Sequence, residues 1–343
     1  MKVLVTGNLG YIGSVLTDTL KNRNYDVVGY DIGYYKNCFV LNPTKLERQI
    51  IGDLRNLDPK ELKDIDAVIH LASLSNDPLG EFMPMLTEDI NYHATINLAK
   101  NCKLMGVKRF IFASTQSIYG ISQTSDELEE DNSLKNPITT YAKTKWDAEQ
   151  SINKIANEDF CVVSLRPSTV FGPSSRFRSD IVFNNLLGCA YTTKKIEIWS
   201  DGSPWRPIIH IEDVCSAFVA CLEAPKKLIN KESFNVGFSG GNYTVKHLAE
   251  TAKKYIKDSI LVIQNKTGDD NRTYKVNFNK INYILKDYFK PIWNLENGGE
   301  QLLEFFKKIS LDENMFRGKQ TNRLKQLYFL KSAGLVNNRL EYV

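Results

Sequence analysis

The chain has 343 residues, 42% hydrophobic and 24% charged, enough apolar material for one large or two modest buried cores. A formal net charge of +4 with no concentrated basic block argues against nucleic acid as the main partner. The apolar stretch 4–20 is interrupted by glycines, Asn8 and Asp18, so neither a signal peptide nor a membrane span is expected, and a cytoplasmic location is.

In chain order, residues 2–6 form a short apolar run that reads as a buried parallel strand. It leads into Gly7, Gly10 and Gly13 and an amphipathic stretch ending near Arg23. Glycines at these places let the chain turn tightly and let a pyrophosphate approach the first helical amides, those of Tyr11 and Ile12. A second strand over 26–30 ends in Asp31, an acid placed to accept from the adenosine ribose hydroxyls and to repel a 2′-phosphate. Strand, glycines, helix, strand and acid in this order define an NAD site.

Strands alternate with helical patterns to about residue 170, with helices near 88–105 and 141–156, which implies a doubly wound parallel sheet. The acidic run 126–131 reads as a solvated loop, and Asp77 before Pro78 as a turn former, with acid–base chemistry as its lesser reading. Tyr141 and Lys145 are four apart on a predicted helix, so phenol and ammonium share one face. A cation there is expected to draw the tyrosine below its usual pKa of about 10, toward a working base. Beyond Pro173 the pattern becomes irregular, and the tail 311–343 carries an amphipathic spacing at Leu324, Leu327, Tyr328 and Lys331. The six cysteines (38, 102, 161, 189, 215, 221) are dispersed and read as small buried thiols. His70, His93, His210 and His247 form no ligand-spaced pair, so no metal site is expected.

The glycine spacing together with Tyr141-x-x-x-Lys145 resembles the extended short-chain dehydrogenase/reductase family, in its nucleotide-sugar epimerases and dehydratases, over roughly residues 1–290. The resemblance implies an α/β fold: a Rossmann-type NAD domain over 1–170 with returns near 205–235, an interleaved substrate lobe over 171–310, and a helical tail over 311–343. It implies cofactor contacts at Asp53 and Leu54 and at Leu71 and Ala72, and a catalytic hydroxyl at Thr115. It implies that Asn185, Arg206 and Arg272 hold the diphosphate of a nucleotide sugar; Arg176 and Arg178, on the connecting loop, read either as assisting there or as solvated surface arginines. Asp213 is expected to cap or position a helix. Helices equivalent to 88–105 and 141–156 pair two subunits in this family, so a homodimer is expected.

Dehydratases of the family follow the catalytic threonine with Asp and Glu, and this chain has Gln116 and Ser117, which are neither acids nor bases near neutral pH. Redox at one carbinol is what remains. The expected activity is an NAD-dependent epimerase acting at C4 through a bound 4-keto sugar. A C4 dehydrogenase or 4-ketoreductase is the alternative, and a non-catalytic NAD-sensing or interaction protein is a third reading.

Overall fold

The computed structural model describes residues 1–122, 125–265 and 273–343. The central sheet has seven strands: β1 (Lys2–Thr6), β2 (Asp26–Asp31), β3 (Arg48–Ile51), β4 (Ala67–His70), β5 (Arg109–Ala113), β6 (Cys161–Pro167) and β7 (Ser233–Val236). All pairings are parallel, in the spatial order β7-β6-β5-β4-β1-β2-β3. The order reverses between β1 and β4, so the connections leaving these two strands diverge and open a crevice at their C-terminal ends, where such sheets bind ligands.

Side chains alternate across a strand, and both faces of this sheet are covered, which is why its strands read as unbroken apolar runs. Val3, Val5, Ile69, Ile111 and Val163 pack on one face with Leu16 and Leu20 of α1 (Tyr11–Asn22) and with Val214 and Phe218 of the helix Ile211–Glu223. Leu4, Val28, Val68, Phe110 and Val162 pack on the other with Leu98 and Ala99 of the helix Ala94–Leu104 and with Ala148 and Ile152 of the helix Thr140–Ile155. The helical path toward Leu104 begins at Pro84 and passes through a wider turn at Asp89–His93.

After β6 the chain alternates between the large sheet and smaller elements. A three-stranded sheet joins Thr169–Phe171, Trp205–His210 and Asn242–Thr244, and Lys195–Ile198 pairs in parallel with Ile260–Ile263. These pack with the helices Val182–Thr193, Val245–Tyr255 and Leu295–Lys308 around a separate core that includes Phe177, Phe183, Leu187, Leu248 and Phe306.

One expectation changes here. The acidic run is only partly solvated: Glu127 begins a short strand paired with Lys275–Val276, and buried Glu130 accepts from the Asn235 amide at 2.7 Å. The tail holds two helices, Glu313–Arg317 and Arg323–Ser332, and packs on its own chain. Leu327, Leu330, Val336 and Leu340 form a core cluster with Tyr34, Leu74, Leu79 and Leu86, while Tyr328 is 53% exposed.

Candidate active site

A cleft of about 1120 Å³ runs along the C-terminal edge of the sheet, from the glycine turn to the smaller elements. Gly7 leaves β1 with φ +75°, and a side chain there would meet the Ala72 amide nitrogen at 2.8 Å. At Gly13 a Cβ would lie 2.2 Å from the Gly7 carbonyl oxygen. These contacts press the turn against α1, whose N-cap Gly10 supplies no side-chain hydrogen bond. The first-turn amides are thereby left open to an anion. Tyr11 offers only its backbone, because its buried ring donates to the Gly172 carbonyl at 2.8 Å. Asp31 accepts from the Leu9 and Gly33 amides (3.2 and 2.7 Å), which fixes both carboxylate oxygens at the end of β2.

A narrow side pocket continues from the turn, lined by Asp31, Tyr35, Asp53, Leu54, Leu71 and Ala72 among others. Asp53, expected as an acceptor, is already clasped by Arg55, whose Nε lies 3.0 Å from each carboxylate oxygen. The geometry of this region fits a dinucleotide: anion-accepting amides, a ribose-facing acid and an apolar slot in succession.

At the other end stand the catalytic candidates. The helix Thr140–Ile155 turns one face to the sheet, placing Tyr141, Lys145 and Glu149 at successive four-residue steps. Buried Glu149 accepts from the Arg166 Nε at 3.2 Å and from Ser233 Oγ at 2.8 Å, which ties the helix to β6 and β7. Lys145, 2% exposed, donates to the Ala113 carbonyl at 2.8 Å and lies 4.7 Å from the Phe112 ring centroid. Tyr141 and Thr115 line the cleft together.

The electrostatics differ from expectation. Burial pushes Tyr141 up to about 12, with Thr115 pulling the other way and the Asp77 charge adding to the rise. Burial brings Lys145 itself down to about 7, and its hydrogen bond goes to the neutral Ala113 carbonyl.

Gln116 and Ser117 part company. The buried Gln116 amide turns away and donates to the Arg166 carbonyl at 3.0 Å, whereas Ser117 lines the cleft. Asp77 opens the short helix Asp77–Phe82 at the cleft wall and accepts from Thr139, the N-cap of the Tyr141 helix. It thus holds the start of that helix, a role the turn reading did not include.

Among the substrate candidates, Asn185 and Arg206 both line the far end of the cleft. Asn185 donates to the Ser179 carbonyl at 2.9 Å, and Arg206 donates to the Trp205 carbonyl at 2.9 Å. Arg272 lies outside the described residues. The loop arginines are not solvated. Arg176 is fully buried, and Arg178 is 8% exposed in a two-point pair with Asp180 at 2.9 and 2.8 Å. Asp213 accepts from the Ile292 and Trp293 amides, both at 3.0 Å, and burial pushes it up to about 6. His70 is a core group bridging Thr6 and Thr95, and among the described residues no cluster could hold a metal ion. Five cysteines are buried and Cys189 is half-buried. No described helix is long and apolar enough to cross a membrane.

Sequence reading missed one group in the cleft, Arg323 of the tail, which lines both the main cleft and its side pocket. Its only sequence signal is an arginine opening the tail's amphipathic helix.

The parallel sheet, the glycine turn and the Thr115/Tyr141/Lys145 set define a nucleotide-dependent redox enzyme. Residues 3–237 match the model of the NAD dependent epimerase/dehydratase family, and the chain belongs to that family. YtcB, an uncharacterized UDP-glucose epimerase of Bacillus subtilis (strain 168), is 32% identical over 256 residues, which is 69% of this chain and 77% of YtcB. The UDP-glucuronate 4-epimerase of Thermodesulfobacterium geofontis (strain OPF15) is 28% identical over 92% of this chain and 94% of its own length. Among solved structures, the UDP-glucuronic acid 4-epimerase of Bacillus cereus, in complex with UDP-glucuronic acid and NAD, superposes with a TM-score of 0.76 at 29% identity, covering 90% of this chain and all of that one. NAD is the cofactor of this enzyme family.

Proposed function

We propose that the protein is a nucleotide-diphosphate-sugar epimerase that inverts C4 through a bound 4-keto sugar, with UDP as the nucleotide. The observation that carries this reading is Thr115 and Tyr141 together on a cleft wall where the two residues after Thr115 are neutral, one of them turned out of the cleft. The UDP-sugar relatives supply the nucleotide.

Tyr141 Oη takes the proton from the C4 hydroxyl, and Thr115 Oγ1 hydrogen-bonds the same oxygen and orients it. NAD would supply the hydride chemistry at C4, and its positive charge would oppose the burial that holds Tyr141 protonated. Lys145, held on the Ala113 carbonyl, would hold the nicotinamide ribose. Gly7, Gly10, Gly13 and the Tyr11 and Ile12 amides take the cofactor diphosphate, Asp31 its ribose, and Asp53, Leu54, Leu71 and Ala72 flank its adenosine end. Asn185, Arg206 and Arg272 hold the substrate diphosphate, so the hexose can turn over while its nucleotide stays fixed. The smaller elements over 171–310 serve as the substrate lobe, the sheet over 1–170 with its later returns as the NAD domain.

We carry cytoplasmic location and a homodimer as parts of the same proposal. The solvent faces of the two helices expected to pair are polar (His93, Asn97 and Lys100; Lys143, Asp147 and Gln150), so pairing there would be hydrated and weakened by salt.

The test is turnover of UDP-sugars by protein purified without added nucleotide. C4 epimer is expected with no external NAD and no carbon-bound deuterium from deuterated water. Deuterium at C3 or C5 overturns the reading, and a released ketone with stoichiometric NADH turns it into a dehydrogenase.

A further inference from the structure

The tail opens its helix Arg323–Ser332 beside the glycine turn, at the opposite end of the chain from that turn. Arg323 is 7% exposed, and its Nη2 lies 3.3 Å from the position a Cβ would take on Gly10. Nη1 bonds Ser75 Oγ, while Nε is buried with no hydrogen-bond partner among the described residues. Arg176 is in the same condition: Nη1 donates to the Gln320 carbonyl at 2.8 Å and to the Phe177 carbonyl at 3.1 Å, but Nε and Nη2 have no partner. The ring of Tyr35 lies near both guanidiniums, its centroid 4.8 Å from Arg176 and 5.3 Å from Arg323.

Charge counting sharpens this. Arg176, Arg178 and Arg323 all act on this small region, where the facing carboxylates are Asp31 and Asp180. Asp180 is engaged by Arg178 and by the Asn76 amide at 3.0 Å. One buried positive charge is left over, and Arg323 is drawn down to about 9 by burial and by its two like-charged neighbours. A surplus buried cation with open donors is costly unless an anion meets it.

We propose that Arg323 is a cofactor-binding residue: the tail delivers its guanidinium to the dinucleotide diphosphate at the mouth of α1. The tail is fixed there by its own bonds. The Ser179 amide donates to the Thr321 carbonyl at 3.1 Å, Gln326 Nε2 to the Tyr34 carbonyl at 3.0 Å, and the Tyr342 hydroxyl to the Gly33 carbonyl at 2.9 Å. The diphosphate then has α1 amides on one side and a charge-assisted donor on the other. This rests on NAD as the cofactor and not on the sugar chemistry.

The experiment strips nucleotide from the full chain and compares wild type with Arg323→Met and Arg323→Lys. It reads NADH and NADPH affinity by fluorescence, NADH release by dilution, and melting temperature with and without NADH. Arg323→Met is expected to weaken NADH about 10- to 100-fold, mostly through faster release, with lysine restoring part of the loss. The nucleotide-free Arg323→Met protein should melt no lower than wild type, because the surplus charge is gone, and its NADH-induced rise should shrink. Unchanged NADH affinity in both variants overturns the proposal, as does a fall in nucleotide-free melting temperature with affinity intact, which marks a structural residue. A loss confined to NADPH also overturns it, moving Arg323 to the 2′-phosphate position. None of these readouts involves sugar turnover, so failure here is distinct from failure of the epimerase reading.

Discussion

The two ends of the cleft are built on opposite plans. Beside Tyr141 the buried charged groups are matched within the protein: Lys145 on the Ala113 carbonyl, Glu149 on Arg166 and Ser233. At the adenosine end guanidiniums from the loop after β6 and from the tail are crowded together, with donors left over on Arg176 and Arg323. A set of matched groups holds its geometry with or without ligand, which suits proton transfer, where misplacement is costly in rate. A set with donors in excess gains most when an anion arrives, which suits retention of a nucleotide.

Three changes press on this contrast, beyond the turnover assay and the Arg323 variants. The largest effect is expected for Tyr141→Phe, which removes the proton acceptor and leaves the ring. Turnover should fall by about 10²–10⁴-fold with NADH affinity unchanged. A parallel loss of NADH binding would mean that the two ends are not separable.

The next is Lys145→Met, read through the stability of the nucleotide-free protein. The folded lysine sits near 7, so between about pH 7 and its ordinary value near 10.4 the unfolded chain binds a proton the folded chain does not. Stability should therefore rise with pH across that window, by at most ~1.4 kcal/mol per pH unit. Tyr141, pushed up to about 12, opposes this only above about pH 10, where the unfolded tyrosine loses its proton first. Denaturant titrations from neutral pH to about pH 9.5 should show the rise in wild type and a flatter curve in the methionine variant. Equal slopes would show that Lys145 is not held uncharged by burial.

The smallest effect is expected for Asp77→Asn. Its charge helps hold Tyr141 protonated, so its removal should move the acidic limb of the kcat/KM profile to lower pH by a fraction of a unit, with modest change in kcat. A collapse of kcat would make Asp77 a direct proton carrier.

Much of this was legible in the sequence because the carriers are local. Gly7, Gly10 and Gly13 with Asp31 lie within one strand–helix–strand unit, and Tyr141 and Lys145 within one helical turn, so spacing alone sets their relation. The buried strands were readable because a sheet covered on both faces carries continuous apolar runs. What escaped was long-range. Nothing near Arg176 announces burial, since the groups that meet it, Tyr35 and Gln320, come from distant segments. The fall in Lys145 and the rise in Tyr141 likewise follow from how deeply the helix sinks against β5. Spacing cannot report that depth. Glu130 looked solvated because its partner amide, Asn235, is more than a hundred residues away.

The docking of the last thirty or so residues against residues 33–41 has a consequence for how mutations in this gene would be judged. The glycine turn and the Tyr141/Lys145 pair lie far upstream of the tail, and the family match itself stops at 237. A premature stop near codon 318 would therefore leave the recognisable coding sequence whole and look harmless on inspection. Its lesion would fall at the nucleotide slot encoded near the start of the message, because Tyr34 would lose its contacts with Gln326 and Leu340, and Gly33 its bond from Tyr342.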